Sequence, residues 1–199
     1  MNLTKLWDVG TNLSFIAAGI TTVVLLGDSG AVSWLFMFSM LLLTIGSGIF
    51  HAEIFKYPIG NHLDVGAMYF TSLVLLTVAV STYTKQVNMG DTLVMAVLFI
   101  APLFIWFFRF YLKNIKMEYK IAAIFVTILL TAEFRQAVLG SSVEWIYLLI
   151  ALQLMIFAVI FRLVLNDKKY PWSHGVWHLV SAAGLAYFYA GLRLIPISV

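Results

Sequence analysis

Seven long runs of apolar side chains, separated by short polar turns, dominate this sequence of 199 residues. A run of roughly 20 apolar residues is long enough to cross the hydrocarbon core of a bilayer as an α-helix. A helix satisfies its own backbone hydrogen bonds, so it is the expected spanning structure. The predicted helices are Val9–Leu26, Ala31–Phe55, Val65–Tyr83, Thr92–Phe110, Ile121–Val138, Val143–Leu165 and Gly175–Leu192. The sequence therefore predicts an all-α integral membrane protein, a seven-transmembrane-helix bundle.

The composition agrees with this fold class and argues against a soluble domain. Hydrophobic residues make up 62% of the chain, charged residues only 11%, and the mean hydropathy is +0.98. A water-soluble core cannot absorb that much apolar surface. The turns between the runs are short and rich in Gly, Asn, Asp, Ser and Pro. We therefore expect one seven-helix transmembrane domain over residues 1–199 and no soluble domain.

The basic residues predict an orientation rather than a nucleic-acid surface. The net charge is +3, but Lys and Arg are scattered between apolar runs and form no stripe, so the expected partner is the lipid bilayer and not nucleic acid. With seven spans, nine of the twelve basic residues fall on the side of the N-terminus. They are Lys5, Lys56, Arg109, Lys113, Lys116, Lys120, Arg162, Lys168 and Lys169. The positive-inside rule then predicts a cytoplasmic N-terminus and a C-terminus outside. The oligomeric state stays open.

The histidines are the chemically informative residues of this chain. Cysteine is absent, so thiolate ligands are excluded and a transition metal would have to be held by imidazole or carboxylate. All four histidines, His51, His62, His174 and His178, fall at predicted helix ends on the cytoplasmic side. An ionisable group at membrane depth is costly unless it is paired, hydrated or metal-bound. Their convergence therefore predicts a functional site.

The spacing of these polar residues predicts zinc chemistry. His174 and His178 are four residues apart, so their imidazoles share one helix face, and Ser47 lies four residues before His51. His51, His174 and His178 would be three neutral ligands of Zn²⁺, leaving a fourth position for water, as in catalytic zinc sites. Asp64, from the next helix, could accept a proton from that water, and Ser47 could hydrogen-bond the water or a developing oxyanion.

Simpler interpretations exist for each residue taken alone. Two histidines four apart occur often by chance, and His62 near an interface is more often a snorkelling or capping residue than a ligand. Asp64 could cap its helix, and Ser47 could hydrogen-bond within its helix. Glu53 is either a partner of a ligand or an interfacial carboxylate, and the second interpretation is favoured. Only the convergence of separated segments favours a common site.

Ser47-x-x-x-His51, an Asp near the start of the next helix and a final-helix HxxxH together resemble the CREST superfamily of seven-helix membrane hydrolases. This superfamily includes alkaline ceramidases, progestin and adipoQ receptors, haemolysin-III-like proteins and a branch implicated in GPI-lipid remodelling. The resemblance implies that His51, His174 and His178 bind zinc while Ser47 and Asp64 contact the water or the substrate carbonyl. Phe50 before His51 and Trp177 before His178 are similar to the ceramidase and lipid-remodelling branches. The predicted orientation is similar to the adiponectin-receptor branch.

The expected function is a zinc-dependent intramembrane lipid hydrolase. Its substrate would be a membrane lipid with an acyl amide, ceramide-like or otherwise N-acylated, or else an acyl ester. The main alternative is a lipid receptor or sensor in which zinc only holds helices together. A haem-binding electron carrier and a proton-coupled transporter are further alternatives, since both use histidines within membrane helices.

Overall fold

The computed structural model describes residues 3–27, 30–81, 90–139, 143–165, 170 and 172–193, and over these ranges the chain is helical without any strand. The helices are α1 Leu3–Thr11, α2 Leu13–Leu26, α3 Ala31–His51, α4 Tyr57–Ser81, α5 Gly90–Trp106, α6 Met117–Leu139, α7 Trp145–Val164 and α8 Ser173–Arg193. A π-helical segment, Phe107–Tyr111, continues α5. The expectation of an all-α chain is confirmed for the described residues.

Within the part of the chain that the structure describes, five helical stretches are long and apolar enough to cross a membrane. They are Lys5–Leu26, Ala31–His51, Tyr57–Val80, Tyr119–Val138 and Trp145–Arg162. A shorter apolar helix runs over Met95–Tyr111. Large apolar side chains on these helices face outward, among them Leu25 and Phe99, each 80% exposed, as expected for surfaces that contact lipid. The chain thus has the helices of a multi-pass membrane protein, while the count of seven spans stays a prediction.

Helix α8 is largely enclosed by other helices. It is 21 residues long, but two histidines, two serines and two tyrosines reduce its hydropathy below that of the five apolar stretches. It packs against α1, α2, α4 and α7, and more than half of its residues are buried. Because protein covers α8 on several sides, its polar side chains face other helices and not the lipid.

Four predicted helix boundaries differ from the structure by four residues or more. The fifth predicted helix begins at Met117 rather than Ile121. The first predicted helix begins earlier, at Leu3, and is interrupted at Asn12 between α1 and α2. The second ends at His51 rather than Phe55, because Glu53 adopts a left-handed backbone with φ 55° that terminates a helix. The third starts at Tyr57 rather than Val65, since a proline in the first helical turn costs no hydrogen bond.

Helices α3 and α4 approach each other closely beside the polar site. A Cβ atom added at Gly46 would lie 2.8 Å from the backbone oxygen of Leu63, a distance that side chains do not adopt. Gly46 immediately precedes Ser47 on α3, and Leu63 immediately precedes Asp64 on α4. The glycine therefore sets the separation of the two helices at the depth where Ser47 and Asp64 lie.

This contact predicts a stability effect of Gly46→Ala. The added methyl group has to displace the α4 backbone, which we expect to lower the free energy of unfolding by about 1–3 kcal/mol. Thermal unfolding of the purified protein in detergent measures it. The matched control is Gly48→Ala on the same helix, where no described atom lies within 4 Å of the new Cβ. Equal unfolding temperatures for both variants would contradict the proposed packing.

Candidate metal centre

Three histidines from two helices meet at one end of the bundle. His51 is the last residue of α3, and His174 and His178 occupy the first two turns of α8. His174 Nε2 lies 2.9 Å from His51 Nε2, and the ring centroid of His178 lies 5.1 Å from that of His51 and 4.6 Å from that of His174. Each ring offers one nitrogen atom such that the three nitrogen atoms all lie within 4.8 Å of one another. The convergence predicted from the sequence is confirmed for these three residues.

The orientation of His178 is determined by helix α1. Its Nδ1 atom lies 3.0 Å from the Thr11 hydroxyl, and its ring also interacts with the main chain of Asp8. The Thr11 hydroxyl can donate to the carbonyl oxygen of Trp7 at 3.0 Å or of Asp8 at 3.1 Å. A hydroxyl that donates to a carbonyl is left to accept a proton from Nδ1, so this network assigns the His178 proton to Nδ1. The Nε2 lone pair then points away from α1.

The Nε2 atom of His178 is the clearest sign that the site fits a metal ion. His178 is fully buried, and its Nε2 has no hydrogen-bond partner among the described residues. A buried polar atom without a partner is costly and calls for an explanation. A metal ion between the three rings would satisfy it, and the hydrogen bonds that Nδ1 makes are those a ligating histidine makes with its other nitrogen. The donor set fits a divalent metal that accepts imidazole.

Two more side chains of helix α1, Trp7 and Lys5, contact the segments next to the histidine cluster. The Trp7 indole donates a hydrogen bond to the Trp172 carbonyl at 3.2 Å and packs on Gly175, where any Cβ atom would overlap it. Lys5 forms an ion pair of 2.6 Å with Glu53 at the turn between α3 and α4. The side chain of Glu53 is 67% exposed, so it belongs to the surface, as favoured from the sequence, and not to the histidine cluster.

His62 lies outside the cluster. Its Nδ1 accepts a hydrogen bond of 3.0 Å from Arg109 Nε, and its ring lies 5.6 Å from that of Phe110. The side chain of His62 is exposed on the surface of the protein. His62 is thus a surface histidine, which makes it a matched control for the three clustered ones.

An apolar cavity of about 420 Å³ adjoins His178 through Phe15 and Trp177, although the three histidines themselves do not line it. The ring centroids of Phe15 and Trp177 lie 5.8 and 5.1 Å from that of His178. Side chains of α2, α3, α4, α6, α7 and α8 form its wall, and most of them are aliphatic or aromatic. Examples are Met68, Phe125, Leu129, Leu152 and Met155. Its polar lining residues include Ser47, Asp64 and Ser181, and the positively charged side chain of Arg162 also lines it. The cavity therefore brings an acyl-chain-sized apolar space together with a few polar groups.

Ser47 and Asp64 lie on this cavity wall, as the sequence predicted for a common site. Asp64 is eight residues into α4, so the capping alternative for it is wrong. Ser47 is 1% exposed, and its hydroxyl makes no hydrogen bond within its own helix, so the back-bonding alternative is wrong as well. The two side chains are close enough to interact, although not in the geometry of a full hydrogen bond.

Three further residues of the site were not predicted from the sequence. Thr11 contacts His178 over 167 residues of separation, which no local pattern reveals. Arg162, in the last turn of α7, interacts electrostatically with both Asp64 and His178. Ser181 lines the cavity three residues after His178, so the helical period of the His174–His178 face could have identified it.

Comparison with protein-family models and with curated proteins finds no match for this chain.

The cluster predicts one bound metal ion per chain. Substituting His51, His174 or His178 by Ala removes one of three ligands. Two imidazoles bind the metal more weakly than three, so the metal content should fall by at least about tenfold. Elemental analysis of the purified protein measures this content. His62→Ala should keep the wild-type content, because His62 is bonded to Arg109 instead. Equal losses in all four variants would indicate unspecific surface binding and contradict the site.

Proposed function

We propose that this chain is a seven-helix membrane protein that holds Zn²⁺ with His51, His174 and His178 and hydrolyses an acyl lipid. An N-acyl amide lipid, ceramide-like or related, is the preferred substrate class, and an acyl ester is the alternative. The observation that carries the proposal is that the three imidazoles converge about one helical turn from an apolar cavity that Ser47 and Asp64 line. It agrees with the resemblance to the CREST superfamily.

The ligand number supports a catalytic rather than a structural ion. Structural zinc sites are closed by four protein ligands, whereas catalytic ones use three and leave a position for water or substrate. Among the described residues, the group that satisfies ligand spacing contains only the three histidines. Asp64 stands outside this group, beside Ser47, where it is available for proton transfer.

The residues of the chain divide the hydrolysis between them. Zinc, when bound, would supply Lewis-acid chemistry, polarising the lipid carbonyl and making water more acidic near neutral pH. Asp64 accepts the proton of the attacking water and returns it to the leaving nitrogen as the C–N bond breaks. Ser47 donates its hydrogen to the carbonyl oxygen while that oxygen gains negative charge. The products are a fatty acid and an amine.

The cavity wall supports lipid entry from the bilayer. Val126 of α6 and Ile156 of α7 both line the cavity, yet they are 53% and 51% exposed on the outer surface of the bundle. Side chains that belong to both surfaces mark an opening between α6 and α7. A lipid could insert its acyl chain there without leaving the hydrocarbon phase, and the polar linkage would remain near Ser47 and Asp64.

The proposal includes a cytoplasmic N-terminus and an external C-terminus. An odd number of spans requires the two termini to lie on opposite sides of the membrane, and the excess of Lys and Arg assigns the N-terminal side to the cytoplasm. Accessibility of epitope tags at each end in intact and permeabilised cells tests this. Both tags on one side would contradict the seven-span count.

Turnover of acyl lipids by the purified protein tests the activity. We expect fatty acid release that a zinc chelator abolishes and added zinc restores. Ser47→Ala should lower kcat by about 10²–10³-fold, the size of one lost oxyanion donor, and Asp64→Asn by about 10²–10⁴-fold through loss of the proton acceptor.

The matched control for Ser47→Ala is Ser39→Ala. Ser39 is equally buried on α3, but its hydroxyl is bonded to the Phe36 carbonyl at 2.7 Å and lies two turns farther from the cluster. It should retain wild-type turnover. Activity that survives the chelator and both site variants would reject the zinc mechanism.

A lipid receptor or sensor is the second candidate. The observation that favours it is that the cluster joins the end of α3 to the start of α8, as a structural metal clip would. Lipid binding without turnover at any substrate concentration, together with loss of folding on chelation, would favour this candidate over hydrolysis.

A further inference from the structure

Two hydroxyl groups on the cavity wall differ from the other hydroxyls of these helices. Ser and Thr in apolar helices commonly bond to a carbonyl one turn earlier, as Thr44, Thr71 and Ser72 do here at 2.9, 3.0 and 2.9 Å. Ser47 and Ser181 do not, since each Oγ atom is buried without a hydrogen-bond partner among the described residues. Both serines line the cavity, and both are at most 5% exposed.

Ser181 and Ser47 lie at matching depths on two helices. Helix α3 runs toward the histidine cluster and α8 runs away from it, so Ser47, four residues before His51, and Ser181, three residues after His178, are each about one turn deeper than a clustered imidazole. Both hydroxyls line the cavity at this depth and have no hydrogen-bond partner among the described residues, so each is available to a substrate linkage held there.

We infer that Ser181 hydrogen-bonds the scissile linkage of the substrate and selects an amide over an ester; the inference rests on the proposed hydrolase function. An amide presents an acceptor, its carbonyl oxygen, and a donor, its N–H group, whereas an ester has in place of the N–H only an alkoxy oxygen, which is a weak hydrogen-bond acceptor. Ser47 serves the carbonyl, so the N–H remains for Ser181 Oγ to accept. A site with an unpaired buried hydroxyl discriminates against a substrate that lacks the matching group.

The test compares two substrates that differ only in the scissile bond, an N-acyl and an O-acyl lipid with the same acyl chain and head group. The wild-type protein should prefer the amide. Ser181→Ala should lower kcat/KM for the amide by about tenfold, the effect of one hydrogen bond, and change the ester by less than about twofold. Ser181→Thr, which keeps the hydroxyl, should retain the amide preference.

Ser72→Ala is the matched control, because Ser72 lines the same cavity and is 4% exposed, but its hydroxyl is already bonded to Met68. Its amide-to-ester ratio should equal that of the wild type. Thermal unfolding checks the fold: removal of an unpaired hydroxyl should leave the unfolding temperature of Ser181→Ala unchanged or raise it.

The outcomes separate the two claims. An unchanged amide-to-ester ratio in active Ser181→Ala overturns the role of Ser181 and leaves the hydrolase proposal standing. A wild-type protein that is loaded with zinc and cleaves neither bond overturns the hydrolase proposal itself, and the role of Ser181 with it.

Discussion

The cost of placing polar groups inside an apolar bundle is the constraint on which the structure depends. His178 is fully buried at the centre of the site, and a buried imidazole needs partners for both of its nitrogens. Thr11 and the Asp8 main chain provide them for Nδ1. The remaining nitrogen, with those of His51 and His174, defines the place where one ion would complete the network. The same constraint explains why α8, which carries the buried residues Ser173, His178 and Ser181, is enclosed by other helices.

Small residues bring the helices close enough for this network to form. Gly46 allows the α4 backbone to approach α3 and sets Asp64 beside Ser47, while Gly175 leaves room for the Trp7 indole over the start of α8. Helix α1 packs against α8, and Thr11 at its end contacts His178. Helix packing thus determines where the polar side chains of the site lie relative to one another.

The sequence predicted much of the site and less of its support. Four-residue spacing paired His174 with His178 and Ser47 with His51, because residues four apart share one helix face. Asp64 was added from its position at the start of the next predicted helix, at the same predicted depth. Two helix ends were misplaced because local backbone effects decided them. The left-handed residue Glu53 ends α3 within an apolar run, and Pro58 allows α4 to begin before its apolar run does.

Contacts between residues distant in the sequence were beyond sequence reasoning. Thr11 meets His178 only because α1 crosses α8, and Arg162 approaches Asp64 only because α7 borders the cavity. Ser181 is intermediate: it follows the helical period of the histidines, but only its burial without a partner distinguishes it from an ordinary helix serine. Resemblance to the CREST superfamily suggested the hydrolase chemistry. Because no family model or curated protein matches the chain, that chemistry stays a prediction.

The central claim is that three imidazoles hold one zinc ion with an open position in the membrane. X-ray absorption spectroscopy at the zinc edge of the purified protein measures this most directly. The account predicts about three imidazole nitrogens at roughly 2.0–2.1 Å and one further oxygen ligand, with the imidazole signal lost in His178→Ala. A zinc-free protein, or a coordination sphere that His178→Ala leaves unchanged, would contradict it.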